Sequence, residues 1–370
     1  MNLNQLKRSF FTFLLGLSAL VTLGQAQLPP TGTRISTHPR TPFPYYYAPL
    51  AHRTVERVSA IGMTVSDMDQ AVDFYSRVLD FQKVSDVEIA GDGYEKLLGI
   101  RDLHLREVTM QLGAEMIELT QYLTPVGRPF PADLRSNDRG FQHIAIIVSD
   151  MDRAYARLQE NRVEAASTAP QRLPDWNKKA GGIKAFYFRD PDHHYLEILQ
   201  FPTGKGDARW QHASGRLFMG IDHTAIVVSN TAASLRFYRD VLNFRVAGTS
   251  NNYGTEQEML NNVPGARLRI TSLKPEMGGA GIEFLEYLNP RNGRPAPADE
   301  RANDLIHWQT RLVLASLEGI APLLLRNGYR LISTGLVALP DQRLGFARGF
   351  LVRDPDGHVM QLVERTGNAN

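Results

Sequence analysis

The hydrophobic positions of this chain repeat. SAIGMTVSDMDQAVDFYSRVLDFQKV, from Ser59 to Val84, opens with a short apolar and β-branched run and breaks at Ser66-Asp67. It then spaces Met68, Ala71, Val72, Tyr75, Val78 and Leu79 at helical intervals. DHTAIVVSNTAASLRFYRDVLNFRVA, from Asp222 to Ala247, repeats the design, with Leu235, Tyr238, Val241 and Leu242 at the same offsets. Both predict a strand, a capped helix that stops at Asp80-Phe81 or Asn243-Phe244, and a return into a strand.

Two diverged copies begin at Phe141 (FQHIAIIVSDMDRAYARLQENRVEA) and His307 (HWQTRLVLASLEGIAPLLLRNGYRL). Each is followed by further apolar strands and ends in a shared turn and strand, RDPDHHYLEILQF from Arg189 and RDPDGHVMQLVER from Arg353. The pattern therefore predicts an α+β chain of four βαβββ units. GRPFPADLRSNDRG (Gly127 to Gly140) and GRPAPADERAND (Gly293 to Asp304) fill equivalent junctions. A polar linker at 203–216 separates a first domain at 55–202 from a second at 217–366, two units in each.

The start of the chain reads differently. Lys7 and Arg8 lead into FFTFLLGLSALVTLG, and Gly24-Gln25-Ala26 offers small residues for cleavage. Residues 1–26 are thus expected to be a signal peptide, and the protein periplasmic or secreted. An apolar run of about 15 residues is short for a bilayer span of roughly 20, so no stable membrane anchor is expected. Residues 27–54, rich in Pro and carrying Tyr45-Tyr46-Tyr47, predict an irregular arm.

Composition narrows the function classes. A chain of 370 residues, 43% of them hydrophobic, exceeds one ordinary core. It contains no Cys, which excludes disulfides, thiol catalysis and lipoprotein acylation. Without Lys7 and Arg8, basic and acidic side chains balance at 39 each, and no basic run interleaves with aromatics. Nucleic acid is not an expected partner. A small-molecule ligand or substrate is, with the protein a monomer or homodimer.

Four such units ending in these strands resemble the vicinal oxygen chelate superfamily, which includes glyoxalase I, extradiol dioxygenases, methylmalonyl-CoA epimerase and the fosfomycin and bleomycin resistance proteins. The resemblance covers about 55–364. It implies that paired units enclose a cup and that inward residues on the first and last strands of each unit ligate a divalent metal, Fe, Mn, Zn or Ni. Strand alternation makes register decisive, because a slip of one residue turns every ligand away. Carried onto this chain, the positions in the first half are Ala60, Glu118, His143 and Glu197; in the second they are His223, Glu283, Gln309 and Gln361. His307, two residues before Gln309, is an alternative.

The first-choice metal set is accordingly Glu118, His143 and Glu197, with Glu118 and Glu197 as candidate catalytic carboxylates. The second choice is His223, Glu283, Gln309 and Gln361, weakened because an amide brings no charge to a cation. Arg311 shares the inward parity of Gln309 and would meet an anionic ligand or form an ion pair. His193, where the later copy has Gly357, reads as a turn residue at positive φ.

The resemblance implies a metal-dependent lyase or isomerase that moves a proton beside a carbonyl of a small oxygenated substrate. The alternative is a non-catalytic binding protein of the resistance type with degenerate metal sites. Extradiol ring cleavage needs two His and one carboxylate, and neither set above supplies them.

Overall fold

The computed structural model describes residues 54–212 and 215–365, so the expected signal peptide and nearly all of the arm lie outside the described residues. No described helix is long and apolar enough to cross a membrane.

All four units form. The first comprises β1 (Val55–Thr64), α1 (Met68–Arg77), β2 (Gln82–Ala90), α2 (Asp92–Leu98), β3 (His104–Leu112) and β4 (Glu115–Thr124). The second comprises β5 (Phe141–Val148), α3 (Met151–Glu160), the two-residue strands β6 (Glu164–Ala165) and β7 (Gln171–Arg172), β8 (Lys184–Arg189) and β9 (Tyr195–Gln200). The third holds β10 (Phe218–Val227), α4 (Thr231–Leu235), β11 (Arg245–Tyr253), α5 (Thr255–Asn261), β12 (Arg267–Lys274) and β13 (Gly281–Asn289). The fourth holds β14 (Trp308–Leu314), α6 (Ile320–Arg326), β15 (Arg330–Leu331), β16 (Val337–Ala338), β17 (Arg348–Arg353) and β18 (Val359–Glu364).

The helix starts follow the expected chemistry. Asp67 accepts from the Gln70 N–H at 3.0 Å, Asp150 from Asp152 and Arg153, and Asn230 from Ala233, each satisfying amides that the first turn leaves unpaired. Asp80 and Asn243 turn the chain back at φ 61° and 59°, a region these two residue types tolerate.

The helices bury their apolar stripes within each half of the sequence. Met68, Tyr75, Leu79 and Phe81 share one core with Met151, Leu158, Phe186 and Phe188. Phe237, Tyr238, Leu242 and Phe244 share another with Leu324, Phe350 and Val352. The RDPD turns pin these cores. Asp190 accepts from the Tyr75 hydroxyl at 3.0 Å and pairs with His194 Nδ1 at 2.9 Å, while Asp192 accepts from the Ser66 N–H. Asp354 repeats this with Tyr238 at 3.1 Å and His358 at 2.9 Å, and Asp356 with the Ser229 N–H. His193 takes φ 71° where Gly357 takes 102°, as a turn residue should.

The sheets run across these halves. One nine-stranded sheet joins the first unit to the fourth through antiparallel β1 and β14; the other joins the second to the third through β5 and β10. The repeated GRP junctions cross over in the same sense. Arg128 donates its backbone N–H and its guanidinium to Asp304, at 2.8 and 2.6 Å, and Arg294 does the same to Asp138. A Cβ on Gly127 would lie 1.9 Å from the Asn303 carbonyl, and one on Gly293 would lie 1.9 Å from that of Asn137. Only glycine allows so close a backbone crossing.

This topology corrects both expected metal sets. Glu118 belongs to the sheet shared by the first and fourth units, whereas His143 and Glu197 belong to the other. His223 and Glu283 are likewise separated from Gln309 and Gln361. All eight residues lie in strands, and the two sheets group them differently from the expected sets.

Candidate metal centre

The registers define equivalent positions in the two sheets. In one, Ala225 lies opposite His143 and beside Glu283, and Ala145 lies opposite His223 and beside Glu197. In the other, Gly62 lies opposite Gln309 and beside Glu118, and Arg311 lies opposite Ala60 and beside Gln361. His143, Glu197, His223 and Glu283 therefore meet in one cup, and Ala60, Glu118, Gln309 and Gln361 in the other.

In the first cup, His143 Nε2 lies 3.1 Å from Glu197 Oε2 and 3.4 Å from His223 Nε2. His223 Nε2 lies 3.6 Å from Glu283 Oε1. One ligand atom from each of His143, Glu197 and His223 falls within 4.8 Å of the others, and all three residues are buried. Two imidazoles and a carboxylate in this arrangement fit a divalent transition metal, and the Glu283 carboxylate adjoins them.

The other nitrogen of each imidazole is already engaged. His143 Nδ1 meets Gln142 Oε1, and the Gln142 amide donates onward to Ser136 Oγ at 3.0 Å. His223 Nδ1 lies 3.0 Å from Asp222 Oδ2, whose partner oxygen accepts from Trp210 Nε1 at 2.8 Å. An Nδ1–H given to an oxygen leaves the Nε2 lone pair aimed at the centre, as a metal ligand requires. Neighbours on a strand ordinarily face opposite sides. Here the register shifts at Gln142 and at Asp222, so a β-bulge turns each supporting side chain beside its histidine.

Burial disfavours the charged form of His223, but Glu283 and then Asp222 outweigh it and raise the group to about 9. Asp222 is held well below the carboxylate range despite its burial, through His223 and Lys274. Burial and the Glu197 charge push the Tyr187 phenol well up, so it stays neutral beside His143, ring centres 4.9 Å apart. The cup opens into a cavity of about 550 Å³ with Lys179, Arg245, Lys274, Asn252 and Gln257 on its walls. That volume suits a small molecule, and the walls suit one bearing several oxygens.

The second cup is filled from within. The Arg311 guanidinium pairs with Glu118, donates through Nε to Gln361 Oε1 at 2.6 Å and through Nη1 to the Leu344 carbonyl at 2.9 Å, and lies over the Phe346 ring. Glu107 is buried nearby, and burial followed by the Glu118 charge raises it to about 8. Burial raises Glu118 too, against the pull of Arg311. The space left is about 10 Å³, lined in part by Gln309, His307 and Gln361. His307 Nδ1 is held by Glu300 at 2.8 Å. With Ala60 and Gln309 at the two histidine positions and a cation already seated, this cup does not fit a metal.

Gln142, Asp222 and Ser272 were missed from the sequence; Ser272 Oγ donates to Glu283 Oε2 at 2.6 Å. A signal existed, because each ligand histidine directly follows a residue with a side-chain oxygen.

The chain belongs to the Glyoxalase/Bleomycin resistance protein/Dioxygenase superfamily, whose model matches residues 57–198 and 220–362. Among curated proteins it is similar to a 2-epi-5-epi-valiolone epimerase from an Actinomyces species, 29% identical over 152 residues, covering 40% of this chain and 80% of that one. Among solved structures it is similar to glyoxalase I from Zea mays, with TM-score 0.53 and 14% identity, covering 83% of this chain and 92% of that one. At that identity the likeness establishes the fold.

Proposed function

We propose that the protein is a divalent-metal-dependent isomerase of the epimerase type, acting on a small polyhydroxylated carbonyl compound in the cup of the second and third units. The observation that carries this reading is the convergence of His143, Glu197 and His223, with Glu283 alongside, in a cavity with polar walls. The similarity to a valiolone epimerase supports the reaction class.

His143, Glu197 and His223 would hold the ion, and Gln142 and Asp222 would fix their tautomers. A divalent metal supplies Lewis acidity toward adjacent oxygens of the substrate. Glu283 is the proton carrier. Its Oε2 is anchored by Ser272, and its Oε1 is more loosely held, at 3.6 Å from His223. Such a carboxylate takes a proton from the carbon beside the carbonyl, and return of a proton to the opposite face of that carbon inverts it. Lys274, Arg245 and Asn252 orient the hydroxyl groups from the wall. Export, proposed from the Lys7-Arg8 segment alone, would set this reaction outside the cytoplasm.

The test is solvent exchange. Cyclic polyhydroxy ketones incubated with the purified protein in deuterium oxide should gain deuterium beside the carbonyl, read by proton NMR. Glu283→Gln should keep the metal and lose exchange, and His143→Ala should lose both. A fully metallated protein that exchanges none of them sinks the reading.

A second reading gains from the same geometry. Two imidazoles and one carboxylate are the set that extradiol cleavage uses, and the objection drawn from the sequence rested on the wrong grouping. Oxygen uptake with catechols by the Fe(II)-loaded protein would favour it over isomerisation.

A further inference from the structure

We propose, resting on the metal cup of the isomerase reading, that the linker between the halves is a working part of the metal centre. Trp210 is a positioning residue that holds His223 in its ligating orientation through Asp222. From its sequence the linker is a polar tether, but its centre, Ala208–Gln211, folds into a 3-10 turn capped by Asp207, which accepts from the Arg209 N–H at 3.1 Å. The turn lays Arg209 and Trp210 against the bulged start of β10. The Arg209 guanidinium lies 3.9 Å from the centre of the Trp210 ring, so the two side chains dock as one piece.

Each contact of this piece falls on a group that fixes the bulge. Trp210 Nε1 donates to Asp222 Oδ1 at 2.8 Å, and Asp222 Oδ2 faces His223 Nδ1 at 3.0 Å. Arg209 pairs with Glu115 of β4, whose Oε2 accepts from the Ile221 N–H at 3.1 Å. Gly220 leaves room for both: a Cβ there would lie 2.5 Å from Glu115 Oε2 and 2.9 Å from the edge of the Trp210 ring. Lys274 also reaches Asp222, its ammonium 3.6 Å from Oδ1 and 3.1 Å from the backbone carbonyl. An ammonium on a flexible stem attracts the carboxylate without fixing its plane, whereas an indole offers one donor in a set direction.

The filled cup supplies the comparison. Ser59-Ala60 stand there where Asp222-His223 stand in the metal cup. Ala60 has no ring to orient, and Ser59 Oγ is buried without a hydrogen-bond partner. Among the described residues, the chain from indole to carboxylate to imidazole accompanies the cup that can hold an ion and is missing from the one that cannot. Packing alone would seat the linker through Arg209 and Glu115; a donor aimed at the carboxylate behind a ligand histidine does more.

Cobalt(II) is the probe, titrated into the purified, metal-free full chain in competition with a chromogenic chelator. Trp210 is half-buried, so variants there are expected to fold. Trp210→Phe keeps an aromatic ring without the N–H and should weaken cobalt by about three- to tenfold, less than loss of the Asp222 carboxylate itself. Trp210→His places a ring N–H two bonds from Cγ, as the indole does, and should restore the affinity to within about twofold of wild type. In the Asp222→Leu background, Trp210→Phe should bring no further loss, because the group it acts through is gone. An unchanged affinity in Trp210→Phe, an equal loss in the Asp222→Leu background, or a Trp210→His variant no better than Trp210→Phe overturns the proposal. Wild-type protein that takes up no cobalt overturns it together with the isomerase reading, while metallated protein that fails solvent exchange overturns that reading alone.

Discussion

Arg311 donates from Nε to Gln361 Oε1 at 2.6 Å, at the position equivalent to Glu197 in the metal cup. The replacement of carboxylate by amide, visible as Glu197 against Gln361 in the two RDPD strands, thus separates a cup that can hold an ion from one that carries its own cation. The residue beside Glu197 is Ala145, and its equivalent beside Gln361 is Arg311. A methyl group leaves a cavity open, and a guanidinium closes it.

Metal content should follow the cup of the second and third units alone. Glu197→Gln and His143→Ala are expected to lower bound transition metal to near zero in elemental analysis of the purified protein. Glu118→Gln should leave it unchanged, because Glu118 pairs with Arg311. Loss of metal in Glu118→Gln with retention in Glu197→Gln would reverse the assignment.

The bulged residues should tune affinity without abolishing it. Asp222→Leu and Gln142→Leu each remove an acceptor from a ligand imidazole, and outer partners of this kind are worth about 10–100-fold in metal affinity. Competition with a chromogenic chelator measures the loss. An unchanged affinity in both would mean that the Nδ1 contacts do not orient the ligands.

The second cup predicts a dependence of stability on pH. Glu107 has its pKa raised from an ordinary 4.5 to about 8, so the folded state binds its proton more tightly than the unfolded chain. Its contribution is fully present below about pH 4.5 and is lost as pH rises through about 8. Urea midpoints of the wild type should therefore carry a falling component between pH 5 and 8 that Glu107→Gln lacks. Parallel pH profiles for the two proteins would contradict this.

Removing Arg311 should cost more than removing its partners. Arg311→Met leaves Glu118 and Glu107 as buried acids without a cation, and breaking such a pair costs about 3–5 kcal/mol. The double variant with Glu118→Gln should recover part of the loss in denaturant unfolding. Full wild-type stability in Arg311→Met would show that the guanidinium is not what holds this cup together.

The RDPD turns are expected to act on stability and not on metal. Asp190→Ala strands the Tyr75 hydroxyl and His194 Nδ1 in a buried site, each at about 1–3 kcal/mol. Asp354→Ala should do the same through Tyr238 and His358. Denaturation curves give the loss, and elemental analysis of the folded fraction should show metal retained.

The sequence by itself determined the four units, their helix caps and the turn at His193, and the family resemblance added eight inward strand positions to them. These are local properties: alternation sets the face a side chain takes, and an Asp or Asn before a helix satisfies its first amides. Tertiary structure alone decided which positions share a cup. Every unit begins with a similar apolar strand, so nothing local says whether β5 pairs with β1, β10 or β14. That choice is made far along the chain, where Gly127 crosses Asn303, Gly293 crosses Asn137, and Arg128 and Arg294 reach the opposite junction's aspartate. It brings together two histidines that the sequence keeps in separate halves and puts Arg311 where the other cup's ion would sit.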